Sequence, residues 1–328
     1  MAPSAASTGA RPADLRTSPR PVASRAGRAM TAPDFVVVGA ASRDLDATDP
    51  RGWRLGGGVT YSSRLLSQLG LSVGALIGLD AAAAQAHELD GLRALGVTTE
   101  EVALDRGPVF DNQQTPWGRV QIAHGRSDPL TPKALPAAWH DSRAFLLNPV
   151  AGEIGEAWAE GLPANALVGL GYQGLLRVLS PGRVVGSRPL VPGPLSLRAD
   201  LAALSNEDVR AGAPPLRRLL RRDGQRLVVT EGARGAMHME RRAGRFHLRY
   251  VPAVRARVGG DATGAGDTFL AAWLAATLLL QGTSTGGTDP RSLALAALCA
   301  SLLVEARTIE PAELLVRSRL LKPPDSQR

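Results

Sequence analysis

Cysteine is almost missing from this chain of 328 residues. Cys299 stands alone, which excludes an internal disulfide framework or a cysteine metal cluster and fits a reducing, cytoplasmic setting. In its Ala/Leu-rich surroundings the plain role of Cys299 is packing. Lysine is nearly as scarce, at Lys133 and Lys322 only, and neither closes a glycine-rich loop, so a P-loop phosphate site is excluded. Aromatic residues make up 4%, too few to stack bases along a nucleic-acid strand. His87, His124, His140, His238 and His247 show no paired metal-ligand spacing, and Gly-x-Ser-x-Gly is absent, so zinc chemistry and serine hydrolysis have no footing. The longest apolar run, Phe269 to Leu280, is well short of the ~20 residues a bilayer needs and, being apolar all round, reads as a buried core helix.

What is present begins with bulk. At 44% hydrophobic residues the chain can bury the core of one large domain, or of a domain with a small appendage. The net charge of +8 suggests an anionic partner until its distribution is read. Arg11, Arg16, Arg20, Arg25 and Arg28 against Asp14 alone put half of that excess on the first 29 residues. A basic tail is not a basic face, and neither a nucleic acid nor a membrane is expected as partner. Residues 1–33 are rich in Ala, Ser, Pro and Arg without apolar periodicity and read as a disordered extension. Its composition is compatible with a transit peptide but holds no apolar segment for secretion, and Met30 directly precedes the first strand-like run.

From Asp34 onward short apolar runs alternate with helical stretches, the pattern of an α/β fold with a mainly parallel sheet flanked by helices. Phe35 to Val38, Leu71 to Leu79, Phe145 to Leu147, Leu167-Val168 and Leu227 to Val229 read as strands. Thr60 to Leu69, Ala81 to Leu95, Asp267 to Leu280 and Leu293 to Val304 read as helices. Arg119 to Ala123 alternates polar and apolar residues, as a strand with one wet face does, and predicts a small sheet covering a site. Ala236 to Tyr250 predicts an antiparallel hairpin turning at Ala243-Gly244, with Phe246, Leu248 and Tyr250 on one face. No repeat of 20 to 50 residues is visible.

Chemistry concentrates in Gly260-Asp-Ala-Thr-Gly-Ala-Gly-Asp-Thr-Phe269, followed at once by the apolar helix. Glycines at 264 and 266 allow successive amides to point into one concavity, and a helix start adds partial positive charge, together an anion hole for a phosphoryl group. Asp267 then stands beside that site as a carboxylate able to take a proton from an attacking hydroxyl. Gly-x-Gly alone is equally a turn whose following acid offsets the helix dipole.

The full run Thr263-Gly-Ala-Gly-Asp267, with Asp261 before it and the apolar helix after it, resembles the signature of the PfkB carbohydrate kinases, a ribokinase-like family, and further matches span residues 34 to 316 in the family's order. The resemblance implies a ribokinase-like α/β domain over 34–316 with a small β-sheet lid near 44–57 and 103–125, and a tail at 317–328. It implies that Asp267 is the general base, with Gly264, Ala265 and Gly266 as the anion hole. Asp44, after the first strand, falls where the family has a carboxylate for acceptor hydroxyls, and two acceptor oxygens suit a vicinal diol. Gly57 and Gly58 match the paired-glycine hinge of the lid. Thr230, Gly232 and Gly235 match the strand-turn-strand beside the nucleotide, with Thr263 and Asn206 completing the donor side.

One position departs. The family's Asn-x-x-Glu supports Mg2+ and phosphate, whereas this chain reads Asn206-Glu-Asp-Val209, so Glu207 or Asp208 stands in through water, or the metal depends on ATP itself. Ser205 or Asn206 is equally a helix cap followed by first-turn acids. The wording of Leu146 to Glu153, Gly171 to Arg177, Leu204 to Asp208 and Val229 to Gly232 is most similar to the inositol-kinase-like branch, which makes Asn112, Arg119 and Gln173 pocket candidates. The cofactors implied are ATP and Mg2+, and the partner is a small hydroxyl acceptor such as a sugar, polyol or inositol. A nucleoside acceptor and a non-catalytic binding protein are the alternatives. The family also implies homodimer contact through the lid.

Overall fold

The computed structural model describes residues 32–310, except 116–117, 190, 210–215, 281–286 and 307–308. Most of the predicted 1–33 extension and the 317–328 tail therefore lie outside the described residues. The strands, in chain order, begin with β1 (Phe35–Ala40), β2 (Ser42–Leu45), β3 (Trp53–Gly56), β4 (Val73–Leu79), β5 (Thr98–Ala103), β6 (Val109–Thr115), β7 (Gly118–Gly125) and β8 (Ala144–Leu147). They continue with β9 (Leu167–Gly171), β10 (Arg177–Val178), β11 (Arg183–Val184), β12 (Gly186–Ser187), β13 (Leu201–Ser205), β14 (Arg226–Thr230), β15 (Ala236–Arg242) and β16 (Arg245–Val251).

Nine of these strands form one sheet in the order β16-β15-β14-β13-β9-β8-β1-β4-β5. It is parallel from β5 to β14, and the β15–β16 hairpin continues it antiparallel. Every residue of β1, β4 and β8 is buried, as strands covered on both faces require. Alternate residues of β1 feed two separate cores. Phe35 and Val37 join the helices Gly58–Gln68, Ala265–Leu279 and Pro290–Ala306 on one face, while Val36 and Val38 meet Trp139, Trp158 and Tyr172 on the other. Ala265–Leu279 is buried around most of its circumference, matching its uniformly apolar sequence.

The second sheet has the order β11-β7-β6-β2-β3. Only Ala41 separates β1 from β2, so the chain passes straight from the large sheet into the small one. The predicted wet-faced strand is β7, and the short β11 adds an edge that the sequence pattern does not mark. Two predicted elements change. Ala81 to Leu95 is a 3₁₀ turn at Ala83–Gln85 followed by the helix His87–Ala94, because Asp80 Oδ1 accepts from the Ala83 N–H at 2.8 Å and starts a separate turn. In β16 the predicted apolar face is divided: Phe246 packs on the core, whereas Leu248 and Tyr250 are 55% and 56% exposed on the sheet's last strand.

In this strand order β1 lies inside the sheet, with β4 and β5 added on one side and β8 onward on the other. Such a switch point opens a crevice at the carboxyl ends of the central strands. β2 leaves from β1, and Asn148 follows β8, at that crevice.

Candidate active site

A cavity of about 510 Å3 lies at the switch point, between the two sheets and the start of helix Ala265–Leu279. A shallower depression of about 620 Å3 sits at the amino ends of β9, β13 and β14, lined by Arg198, Asp200 and Arg222. Its arginines are committed to Asp200 and to backbone carbonyls, so no group there converges on a ligand. The chemistry belongs to the smaller cavity.

Its helix-start wall is built by Gly264, which caps the helix at φ +85°, a left-handed conformation open to glycine. A Cβ there would stand 2.4 Å from the Tyr61 ring, so glycine also lets the loop lie flat on that ring. Asp261 shapes the approach: its Oδ1 accepts from the Thr263 N–H at 2.9 Å and the Thr263 hydroxyl at 2.6 Å. The Ala265 N–H donates to the Ala262 carbonyl at 3.1 Å, so this predicted anion-hole donor is used within the turn. Gly266, exposed in the first helical turn, and Asp267, half-buried beside it, line the cavity.

Opposite stands the lid side. Asp44 on β2 is only 5% exposed, accepts from the Ser42 hydroxyl at 2.9 Å and lines the cavity with Gly57 and Gly58. Gly56 is pressed against it, since a Cβ would lie 2.3 Å from Asp44 Oδ2. Gly57 carries φ +97° and caps helix Gly58–Gln68. The Gln173 and Arg177 side of the cavity adds a guanidinium held 5.1 Å from the Phe110 ring centre and donating to the Val150 carbonyl at 2.9 Å. On the other side Thr230, Gly232, Thr263, Asn206, Glu207 and Asp208 complete the lining.

Two predicted positions are placed elsewhere, and the side chain of a third lies outside the described residues. Asn112 does not line the cavity; its Oδ1 accepts from Gln121 Nε2 at 2.7 Å, and Gln121 is the residue that faces in. Asn112 and Gln121 are directly opposed in the β6–β7 ladder and share one face of the small sheet, so the exchange is between cross-strand neighbours. Gly235 is also absent from the lining. It turns the β14–β15 connection at φ +96°, where a Cβ would meet the Val251 carbonyl at 2.3 Å. Arg119 lies on β7, but its side chain is outside the described residues. Ser42, Tyr61, Phe110, Asn148, Arg177, Glu231 and Arg234 line the cavity without having been singled out by the sequence, and Ser205, expected only as a cap, joins them. Asn148, Arg177 and Glu231 lie inside runs that carry the family resemblance, but nothing about the residue alone marks it for the cavity.

Ser205 and Asp208 resolve the departure at Val209 as a local cap. Asp208 Oδ2 accepts from the Ser205 N–H at 2.9 Å and hydroxyl at 2.8 Å, while the Asp208 N–H donates back to Ser205 Oγ at 3.2 Å. This reciprocal pairing is a capping box. It engages one Asp208 oxygen, and among the described residues no group of three or more His, Cys, Asp or Glu could hold a metal. Glu207 and Asp208 both line the cavity, and they are the residues that would support a phosphate-borne cation through water.

Residues 198–312 match the family model described as pfkB family carbohydrate kinase. No curated protein matches the chain significantly in sequence. Among solved structures, a pyrophosphate-dependent kinase in the ribokinase family, complexed with a pyrophosphate analog and myo-inositol, is 20% identical at TM-score 0.63, covering 86% of this chain and 99% of its own. A nucleoside kinase of Methanocaldococcus jannaschii is 14% identical at TM-score 0.62, covering 89% and 100%. The ribokinase of Giardia lamblia is 14% identical at TM-score 0.63, covering 88% and 100%. Architecture and family model point the same way: the chain has a ribokinase-like fold, and its segment 198–312 matches the pfkB carbohydrate kinase model.

Proposed function

We propose that the chain is an ATP-dependent kinase that transfers a phosphoryl group to a hydroxyl of a small sugar, polyol or inositol-like acceptor. The observation that carries this reading is the placement of Asp267, at a helix start, in one cavity with the buried carboxylate of Asp44. Asp44 accepts hydrogen bonds from two acceptor hydroxyls and orients a third toward Asp267. Asp267 takes that hydroxyl's proton as the new O–P bond forms and the bond to the leaving phosphate breaks in line. Charge on the transferring group meets the amide end of the helix dipole. The small sheet limits water at the reacting atoms. Mg2+ bound to the donor phosphates would neutralise their charge, with Glu207 and Asp208 as its water-mediated supports.

A second donor is favoured by one observation. Among the described residues, nothing in 236–261 or 287–310 lines the cavity, and its donor-side wall from Ser205 to Arg234 is polar apart from Gly232. A base needs an apolar slot, whereas pyrophosphate does not. The neighbour that uses pyrophosphate makes this a concrete alternative. The test is a phosphotransfer screen with ATP or pyrophosphate, each with Mg2+, over sugars, linear polyols, cyclitols and nucleosides, with mass detection of the product. A phosphorylated polyol or cyclitol made from ATP is expected. Product from pyrophosphate alone replaces the donor, product from nucleosides alone replaces the acceptor, and ligand binding without product makes the chain a binding protein.

A further inference from the structure

Asn148 is a buried polar residue, 3% exposed, lining the cavity that Asp44 and Asp267 also line. Two glycines make room for it. A Cβ on Gly58 would lie 2.7 Å from Asn148 Nδ2, and one on Gly171 would lie 2.2 Å from Asn148 Oδ1. Neither glycine has the positive φ that would by itself demand glycine. Space for the Asn148 side chain is therefore part of what glycine supplies at both positions. The Gly58 Cβ position is also 2.8 Å from Asp267 Oδ1, so the asparagine amide and the aspartate carboxylate border the same point.

A second contact runs behind that point. Asn148 Nδ2 donates to Ser62 Oγ at 2.9 Å, and the Ser62 hydroxyl donates to the Asp267 backbone carbonyl at 3.3 Å. Ser62 is itself fully buried. The amide fixes the direction of the hydroxyl proton, because a hydroxyl that accepts from Asn148 has its proton left for Asp267. Buried networks of this kind hold their members in one arrangement as long as every partner is present.

We infer that Asn148 is a positioning residue for Asp267: through Ser62 it holds the first turn of the helix, and through its own amide it confines the carboxylate to the acceptor side of the cavity. This rests on the reading of Asp267 as the general base. Truncating or repolarising Asn148 lets the carboxylate swing without removing it, so the loss falls on turnover and leaves binding in place.

The test uses the full chain with whichever donor and acceptor the screen identifies. Asn148→Asp keeps shape while removing the donor N–H, and Ser62→Ala removes the intermediate hydroxyl. Expected are falls in kcat of roughly 10- to 100-fold for the first and several-fold for the second, with both KM values within about threefold. In an Asp267→Asn background Asn148→Asp should add nothing further, since there is no carboxylate left to position; an additive loss is the mark of a merely structural role and overturns the inference. Gly171→Ala, which pushes on Asn148 Oδ1, should reproduce the kcat loss with melting temperature read alongside. Unchanged kcat in Asn148→Asp, or a rise in acceptor KM instead, overturns the inference while an inactive Asp267→Asn leaves the base assignment standing. Turnover surviving in Asp267→Asn removes the base assignment and this inference with it.

Discussion

Asp267 and Asp44 differ in what surrounds them, and their substitutions should differ accordingly. Asp267 is half-buried at a helix start, where a carboxylate contributes only ~0.3 to 1 kcal/mol to stability. Asp267→Asn should thus leave the melt and donor binding nearly intact while kcat falls by roughly 10² to 10⁴. Calorimetric donor titration beside a phosphotransfer assay checks this, and near wild-type turnover in a folded, donor-binding variant removes Asp267 from the mechanism. Asp44 is 5% exposed and held by Ser42. Asp44→Ala should raise acceptor KM by roughly 10- to 100-fold, the ~1.5 to 3 kcal/mol of a lost charged hydrogen bond, with donor KM little changed. A donor-side defect instead reassigns the residue. Both aspartates are legible in the sequence because each sits in a contiguous run with glycine close by. Asn148 is not, because Asn-Pro reads as a turn and its partners, Gly58, Ser62 and Gly171, are distant in the chain. The glycines were visible, but the side chain that requires them was not.

Elements were legible where burial is two-sided or periodicity is long. β1 and β4 announce themselves as continuous apolar runs, and the helix Ala265–Leu279 as an unbroken one. What escaped was β13, buried on both faces but with no β-branched residue in its Leu-Ala-Ala-Leu run, together with β5, lying at the sheet edge with four of its six residues exposed, and the two-residue strands around 177–187. The β15–β16 hairpin was legible from its turn, and the turn is also where it is weak. Ala243 has φ +49° and Gly244 φ +71°, the two left-handed residues of a type I′ turn. Alanine resists that conformation, asparagine tolerates it, and position 243 is exposed, so no packing opposes a change. Ala243→Asn should stabilise the protein by about 0.5 to 1 kcal/mol, seen as a higher denaturation midpoint at unchanged slope. A lower midpoint shows that the alanine conformation is not what limits the turn.

At the scale of the whole molecule, the two sheets are joined by a set of ion pairs at the root of the small one. Arg43 on β2 donates to Asp80 at the end of β4, at 2.9 and 3.0 Å. Arg51, in the β2–β3 connection, donates to both Glu88 oxygens at 2.7 and 2.8 Å and lies 4.5 Å from the Trp53 ring centre. Glu88 Oε1 also accepts from the Leu55 N–H at 3.0 Å, so one carboxylate of the large domain grips both the turn and the second strand of the hairpin that carries Asp44. None of this was legible, since the partners are 33 to 37 residues apart and look like ordinary surface charges. Burial raises the Glu88 pKa, but the bonds from Arg51 and Leu55 outweigh it and bring the value to about 2 from an ordinary 4.5. A depressed carboxylate stabilises the fold fully above its unfolded value and loses that contribution as pH falls through the folded one. Glu88→Gln should therefore cost on the order of 1 to 3 kcal/mol at neutral pH, a gap from wild type that stays constant above about pH 5 and closes as pH falls toward 2. Because the grip sets where Asp44 stands relative to Asp267, the same variant should raise acceptor KM several-fold at neutral pH while kcat at saturation changes little. Urea unfolding across that pH range, paired with acceptor kinetics, reads both. A stability gap that persists at pH 2 rules out the carboxylate as its source, and an unchanged acceptor KM means that the root of the small sheet holds the fold without setting the geometry of the cavity.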